Sequence, residues 1–129
     1  MKYALNLDEQ KNWLIGRKGN PVRFKYPEGD FSVYPREGVL KDRFVFFDSE
    51  DDVVVYWNVI DLIEFKDYPE NWLRTSYYRY KKQEKKWVFA GQTSMSNPIS
   101  GWVEMFSKAI KEKSWFKEFF KEVQKQSNR

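Results

Sequence analysis

The chain has 129 residues, of which 33% are charged, and its net charge is +4. It contains no cysteine and no histidine, which excludes thiolate nucleophiles, imidazole bases and the commonest zinc ligands. The longest apolar run, Val53–Trp57, is too short to span a membrane, and the first residues do not form a signal peptide. We therefore expect a cytoplasmic protein with no cofactor and no metal.

The first third of the chain predicts short strands joined by turns. Alternating apolar residues at 3–7 predict an opening strand, and the apolar run at 13–15 fits either a helix or a strand. A glycine-rich loop follows. Alternating residues at 22–26 and again at 31–34 then predict a hairpin.

The centre of the chain predicts the middle of a sheet. Val39–Phe47 ends in a run that is apolar on both faces, as in a central strand. After a polar loop at 48–52, Val53–Phe65 holds the densest set of β-branched and aromatic residues. Asp61 interrupts its apolar face, and a bulge near Asn58 would explain this. The stretch predicts either two strands or one long bent strand.

The last part of the chain predicts a hairpin and then a helix. The two arms of the hairpin are residues 75–82 and 86–93. The helix start is indicated by Asn97 and Pro98. Two apolar stripes at helical spacing follow, and they slip relative to each other at 113–114. The slip predicts either a bend in the helix or a second short helix.

These elements predict an α+β fold, mostly antiparallel β. We expect a bent small barrel or half-barrel of about seven strands, with a C-terminal amphipathic helix packed on it. The prediction is a single domain over residues 1–129, with a β portion at 1–95 and a helical portion at 97–126. This element order resembles that of pleckstrin-homology-like domains. PUA-like and SH3-like barrels contain similar parts.

Two loops carry residues that could bind ions. The acidic loop at 48–52 has carboxylates at alternate positions, but Val53 and Val59 stand where an EF-hand needs glycine and glutamate, so no metal site is predicted. The loop Gly16–Gly19 resembles the GXXG loop of KH domains, although a strand rather than a helix is predicted after it. Its cations also resemble the phosphoinositide-binding pattern of some pleckstrin-homology domains. The alternative is an ordinary solvated turn.

Charge is distributed unevenly along the chain. Residues 1–70 carry 10 Lys/Arg and 14 Asp/Glu, a net charge of −4, whereas residues 71–129 carry 13 and 5, a net charge of +8. The two halves either create a directed surface field or neutralise each other in the fold.

The basic and aromatic hairpin predicts a nucleic-acid surface. Aromatic rings can stack on unpaired bases, and neighbouring cations can bind phosphates. Alternatively, the rings face the core and the lysines protect a sheet edge. The predicted nucleic-acid contacts are Arg74, Tyr77, Tyr78, Arg79, Tyr80, Lys81, Lys82, Lys85, Lys86 and Trp87, with Arg17 and Lys18 from the glycine-rich loop.

The C-terminal helix predicts a second candidate surface. Lysines recur every four residues from Lys113 to Lys125, beside an aromatic stripe. The stripe either docks on the barrel or leaves residues for a partner. The predicted partner contacts are Trp115, Phe116, Phe119, Lys117 and Lys121.

The sequence thus predicts a non-catalytic binding or regulatory protein. An enzyme is not expected, because no nucleophile–base pair or metal motif is visible. The first hypothesis is a nucleic-acid partner, RNA or single-stranded nucleic acid in preference to duplex DNA. The alternatives are an adaptor or inhibitor that binds an acidic protein through the C-terminal helix, and a binder of acidic headgroups. A homodimer is left open.

Overall fold

The computed structural model describes residues 3–23, 37–90 and 95–129. The chain divides into two compact units, Met1–Ser94 and Met95–Arg129. The first unit holds a helix and an antiparallel sheet, and the second holds two helices. Within the described residues, none of the helices combines the length and the apolar character that a membrane crossing requires.

The first element is a helix, α1, at Leu7–Ile15, so the predicted opening strand was wrong. Asn6 and Glu9 form a capping box: the Glu9 N–H donates to Asn6 Oδ1 at 2.8 Å, and the Asn6 N–H donates to Glu9 Oε1 at 3.0 Å. These bonds satisfy two backbone donors that a helix start otherwise leaves unpaired. Of the alternating residues, Leu5 packs against the core and donates its N–H to the Tyr80 hydroxyl at 3.0 Å, whereas Tyr3 and Leu7 are exposed.

In the described part of the chain, a five-stranded antiparallel sheet, curled into a half-barrel, follows α1. Its strands lie side by side in chain order: β1 (Pro21–Arg23), β2 (Glu37–Glu50), β3 (Val54–Phe65), β4 (Trp72–Lys81) and β5 (Lys86–Phe89). The α+β class and the half-barrel are confirmed, whereas the count of about seven strands is not. Much of the hairpin predicted at 22–26 and 31–34 lies outside the described residues.

The central strand β3 is continuous and does not divide in two. Its pairing with β4 runs without a shift from Val54 to Ile63, so β3 has no bulge at Asn58. The irregularities lie in β2, between Leu40 and Asp42 and between Phe47 and Ser49. Asp61 therefore keeps its place on the buried face.

The predicted hairpin is present as β4 and β5, with Lys81 paired to Lys86 across the turn. Its second arm was predicted to run to residue 93, but β5 ends at Phe89, and residues 91–93 lie outside the described residues. The acidic segment at 48–52 is only partly a loop, because its first residues extend β2. Asp51 forms the turn itself, and its carboxylate accepts the N–H groups of Val53 and Val54 at 2.7 Å each. These two backbone hydrogen bonds lower the pKa of Asp51 below its ordinary value.

The core of the first unit lies between α1 and the sheet. Leu14 of α1 is fully buried against a cluster that includes Val55, Trp57 and Tyr80. Trp13 stacks on Trp87 with ring centroids 4.5 Å apart and planes 8° from parallel. These contacts fix α1 on one face of the curled sheet.

The second unit contains two helices rather than one, α2 (Ile99–Glu112) and α3 (Ser114–Ser127). Lys113 interrupts them with an extended backbone, at φ −120° and ψ 113°. The N-cap of α2 is Pro98 rather than the predicted Asn97. Phe106 of α2 contacts Phe116 of α3, with ring centroids 5.4 Å apart, so aromatic residues hold the two helices together.

Candidate functional site

A buried ion network crosses the three central strands of the sheet. Asp61 on β3 lies directly opposite Arg43 on β2 and Arg74 on β4. Arg43 Nε and Nη2 donate to the two Asp61 carboxylate oxygens at 2.7 and 3.1 Å, and Arg74 Nη2 donates at 3.0 Å. The Asp61 side chain is 0% exposed, so its charge is compensated by two arginines rather than by water.

Arg43 is held by more than this ion pair. Its Nη1 donates to the Leu14 carbonyl at 3.2 Å and its Nη2 to the Tyr78 hydroxyl at 3.0 Å. Burial works to lower the pKa of Arg43, but the hydrogen bonds and charge of Asp61 and Tyr78 outweigh it and raise the pKa. Arg43 is therefore a fixed cation that links α1 to the sheet.

A cleft of about 220 Å³ opens over this network. Four arginines contribute to its described lining, and no carboxylate does; we call it the arginine cleft. The arginines are Arg17, Arg23, Arg43 and Arg74. All of them belong to the first unit.

The loop after α1 brings Arg17 to the cleft. Gly19 has a φ of +91°, which glycine adopts without strain, and its N–H donates to the Leu40 carbonyl at 2.7 Å. Asn20 accepts the Leu40 N–H at 3.0 Å, so β2 holds the loop at two points. The Arg17 guanidinium lies 4.8 Å from the Trp13 ring centroid, which orients it further.

The outer part of the cleft is more open than its floor. Arg23 on β1 pairs with Glu37 at 2.7 Å, but both side chains are largely exposed, so water screens this pair. Phe89 at the end of β5 is 43% exposed, and the Arg74 guanidinium lies 5.0 Å from its ring centroid. The cleft thus has a buried cationic floor and an aromatic residue at its rim.

The structure separates the residues of the predicted nucleic-acid set. Only Arg17, Arg74 and Tyr78 line the arginine cleft. Tyr78 and Tyr80 are buried in the core, and Trp87 stacks on Trp13, so none of these rings presents an open face for a base. Their alternation reflects packing against α1.

The rest of that set lies at the turn of the β4–β5 hairpin or on the other face of the sheet. Lys82 bonds to Glu50 at 2.6 Å and donates to the Asp51 carbonyl at 2.7 Å. Lys85 and Lys86 are exposed at the turn, and Lys81 is half-exposed beside them. The basic turn therefore lies beside the acidic one.

The remaining members of the set have separate surroundings. Tyr77 and Arg79 alternate with the core residues of β4 and are half-buried. Lys18 pairs with Asp42 at 2.9 Å.

Arg43 is the main residue of the site that sequence reasoning missed. It comes directly before the apolar run Phe44–Phe47 of β2, and Asp61 is a charge within the apolar part of β3. Such a pair of exceptions in neighbouring strands indicates a cross-strand ion pair, and it was available in the sequence.

The predicted partner-binding residues of the second unit differ in their exposure. Phe116 is 2% exposed and packs on Phe106, whereas Phe119 is 43% exposed. Lys117 and Lys121 are exposed, and Trp115 is half-buried. A groove of about 470 Å³ on α3 is lined by Phe119, Glu122, Val123, Gln126 and Ser127.

No metal-binding group of three or more carboxylate side chains occurs in the parts of the chain that the structure describes. The chain matches no protein-family model, no curated protein and no solved structure. What the arginine cleft binds is inferred from its charges and geometry.

Proposed function

We propose that the protein is a non-catalytic nucleic-acid-binding protein, and that the arginine cleft is its phosphate-binding centre. The observation that carries this proposal is the convergence of four arginines on one cleft whose described lining has no carboxylate. Arginine suits this role because its planar guanidinium donates in pairs to phosphate oxygens and keeps its charge at all relevant pH values.

The rim of the cleft supports RNA or single-stranded nucleic acid in preference to duplex DNA. Phe89 is exposed beside the arginines, and an exposed ring can stack on an unpaired base for about 1–3 kcal/mol. A base in a duplex is already stacked and cannot offer its face to such a ring. The helix α1, which precedes the Arg17 loop of the cleft, uses Leu14 to pack on the sheet and is not a projecting recognition helix.

The test is binding of the purified protein to a fluorescent pool of RNA and single-stranded DNA at low and near-physiological salt. We expect affinity to fall steeply with salt, because cations that bind phosphates release counterions. Arg23→Gln should weaken binding, and so should Phe89→Ala. No binding at low salt would overturn the proposal.

A matched control separates the cleft from the basic turn. Lys86→Gln removes the same charge as Arg23→Gln, but at the exposed hairpin turn. If the cleft is the binding centre, the arginine variant loses more affinity than the lysine variant. A larger loss from Lys86→Gln would instead place binding at the hairpin turn.

A second candidate function is a protein-interaction adaptor or inhibitor. It is favoured by the groove on α3, where Phe119 and Val123 are exposed, while Lys117 and Lys121 are exposed elsewhere on the same helix. Exposed apolar residues suit a partner protein or a second copy of the chain, and the lysines suit an acidic partner. Sedimentation velocity tests the second copy: self-association that Phe119→Asp abolishes would support it, and a monomer at all concentrations would exclude the homodimer.

A further inference from the structure

We infer that the arginine cleft binds a phosphomonoester, the phosphate at the end of a strand, rather than a phosphodiester within one. This inference rests on the proposed function, since it specifies which phosphate of a nucleic acid the cleft takes. Three properties of the cleft carry it: its charge, its closed floor and its size.

The charge of the cleft matches a dianion. Arg43 and Arg74 share Asp61, and Arg23 pairs with Glu37, so two carboxylates are bonded to a cleft with four arginines. Among the described residues, the arginines of the cleft outnumber these two carboxylates by two. A phosphomonoester carries a charge of about −1.5 to −2 at neutral pH, whereas each phosphate inside a strand carries about −1.

The floor of the cleft is closed. The Arg43 side chain lies there with 1% exposure, tied to Asp61, Tyr78 and the Leu14 carbonyl. A phosphodiester continues into the chain on both sides, so it needs two ways out of its site. A terminal phosphate needs only one, and it can approach the floor end-on.

The size of the cleft points in the same direction. Its volume of about 220 Å³ lies below the roughly 300–1,000 Å³ that is typical of clefts for whole small-molecule ligands. That space holds one phosphate and part of its sugar, not a run of nucleotides. Arg23 can turn towards this phosphate, because its exposed pair with Glu37 is screened by water and easily exchanged.

The experiment compares one short RNA sequence in three forms: with a 5′-phosphate, with a 3′-phosphate and with hydroxyl groups at both ends. Binding to the 129-residue chain is measured by fluorescence anisotropy at low and at near-physiological salt concentration. We expect one phosphorylated form to bind about tenfold or more tightly than the form without a terminal phosphate, as charged hydrogen bonds typically provide.

Variants assign the preference to the cleft. Arg17→Gln and Arg23→Gln should each reduce the ratio between the phosphorylated and hydroxyl forms. Lys86→Gln should lower all affinities a little and keep the ratio. Arg23 is exposed, so its variant should fold, and circular dichroism checks this.

Each outcome has one meaning. Equal, salt-sensitive binding of all three forms overturns the inference and leaves the proposed function standing. No binding of any form at low salt overturns the proposed function. In that case, vesicles containing phosphatidic acid, a monoester, are compared with vesicles containing phosphatidylglycerol, a diester. A preference for phosphatidic acid that Arg23→Gln removes keeps the phosphomonoester site and assigns its source to lipid; no preference overturns the site as well.

Discussion

Asp61 places a carboxylate inside the sheet, where a charge without a partner is very unfavourable. Arg43 and Arg74, one on each neighbouring strand, hold both of its oxygens. Their hydrogen bonds replace the hydration that the carboxylate loses on folding. Removing the negative charge would leave two buried or half-buried cations next to each other.

Asp61→Asn should therefore lower the free energy of unfolding by about 3–5 kcal/mol, the usual cost of breaking a buried ion pair from one side. Urea denaturation followed by tryptophan fluorescence measures this. The control is Asp67→Asn, at an exposed position, which should change stability by less than about 0.5 kcal/mol. Equal midpoints for the two variants would contradict a stabilising role for the network.

The lowered pKa of Asp51 predicts how the stability of the fold depends on pH. Hydrogen bonds from Val54 and Val53 lower its pKa in the folded chain below the ordinary value of 3.8. A depressed carboxyl pKa adds stability that is fully present above the unfolded pKa and is lost as pH falls through the folded pKa. Wild type should therefore be more stable than Asp51→Asn at pH 7, and this difference should disappear as pH falls below 3.8. Urea midpoints across this range test it; a difference that persists at low pH would contradict it.

At the scale of elements, α1 shows how a local signal can be overlooked. The alternation at residues 3–7 is typical of a strand, but Asn6 and Glu9 have the spacing of a capping box. Capping and the burial of Leu14 together outweigh a short alternation. The helix start was therefore readable from the sequence, whereas the hydrogen bond from Leu5 to Tyr80, across 75 positions, was not.

Asn6→Ala should lower the free energy of unfolding by about 1 kcal/mol, since it removes the acceptor of the Glu9 N–H. Asn6→Asp keeps an acceptor and should restore most of the stability. Thermal or urea unfolding of the two variants makes the comparison. A loss of the same size in both would show that capping is not the cause.

The elements that could be predicted from the sequence were those whose apolar residues follow one regular spacing. The long apolar run of β3 and the β4–β5 hairpin were predicted because their signals are local and repeated. The slip at residues 113–114 allowed either a bend or a break, and the extended backbone of Lys113 makes it a break. Sequence alone could not choose, because both alternatives place the same residues on the same stripes.

At the scale of the whole molecule, the arginine cleft exists only because of the sheet order. Its arginines come from the loop after α1 and from β1, β2 and β4; β1 pairs with β2, and β2 and β4 flank β3. Arg74 was predicted as a nucleic-acid contact from the cations interleaved with aromatic residues in the hairpin, and Arg17 from the glycine-rich loop. Their meeting with Arg43 could not be predicted, because it depends on the pairing register of three strands.

The cleft lies within residues 1–94. Removing positive charge there should therefore affect RNA binding more than removing it from the second unit. In the plot of log affinity against log salt concentration, Arg17→Gln combined with Arg23→Gln should reduce the slope by about 1, because the cleft takes one phosphate. Lys117→Gln combined with Lys121→Gln removes the same charge from the second unit and should leave the slope unchanged. Equal changes in both double variants would mean that binding follows net charge and not the cleft.

The three charges of the Asp61 network also favour one pairing register of the strands β2, β3 and β4. A shift of one residue between β2 and β3, or between β3 and β4, would point Asp61 away from its arginine. The ion network could then not form. A sheet of apolar strands has many alignments of similar hydrophobic burial. Only the observed one satisfies a buried carboxylate from both sides, so the network discriminates against misaligned sheets during folding.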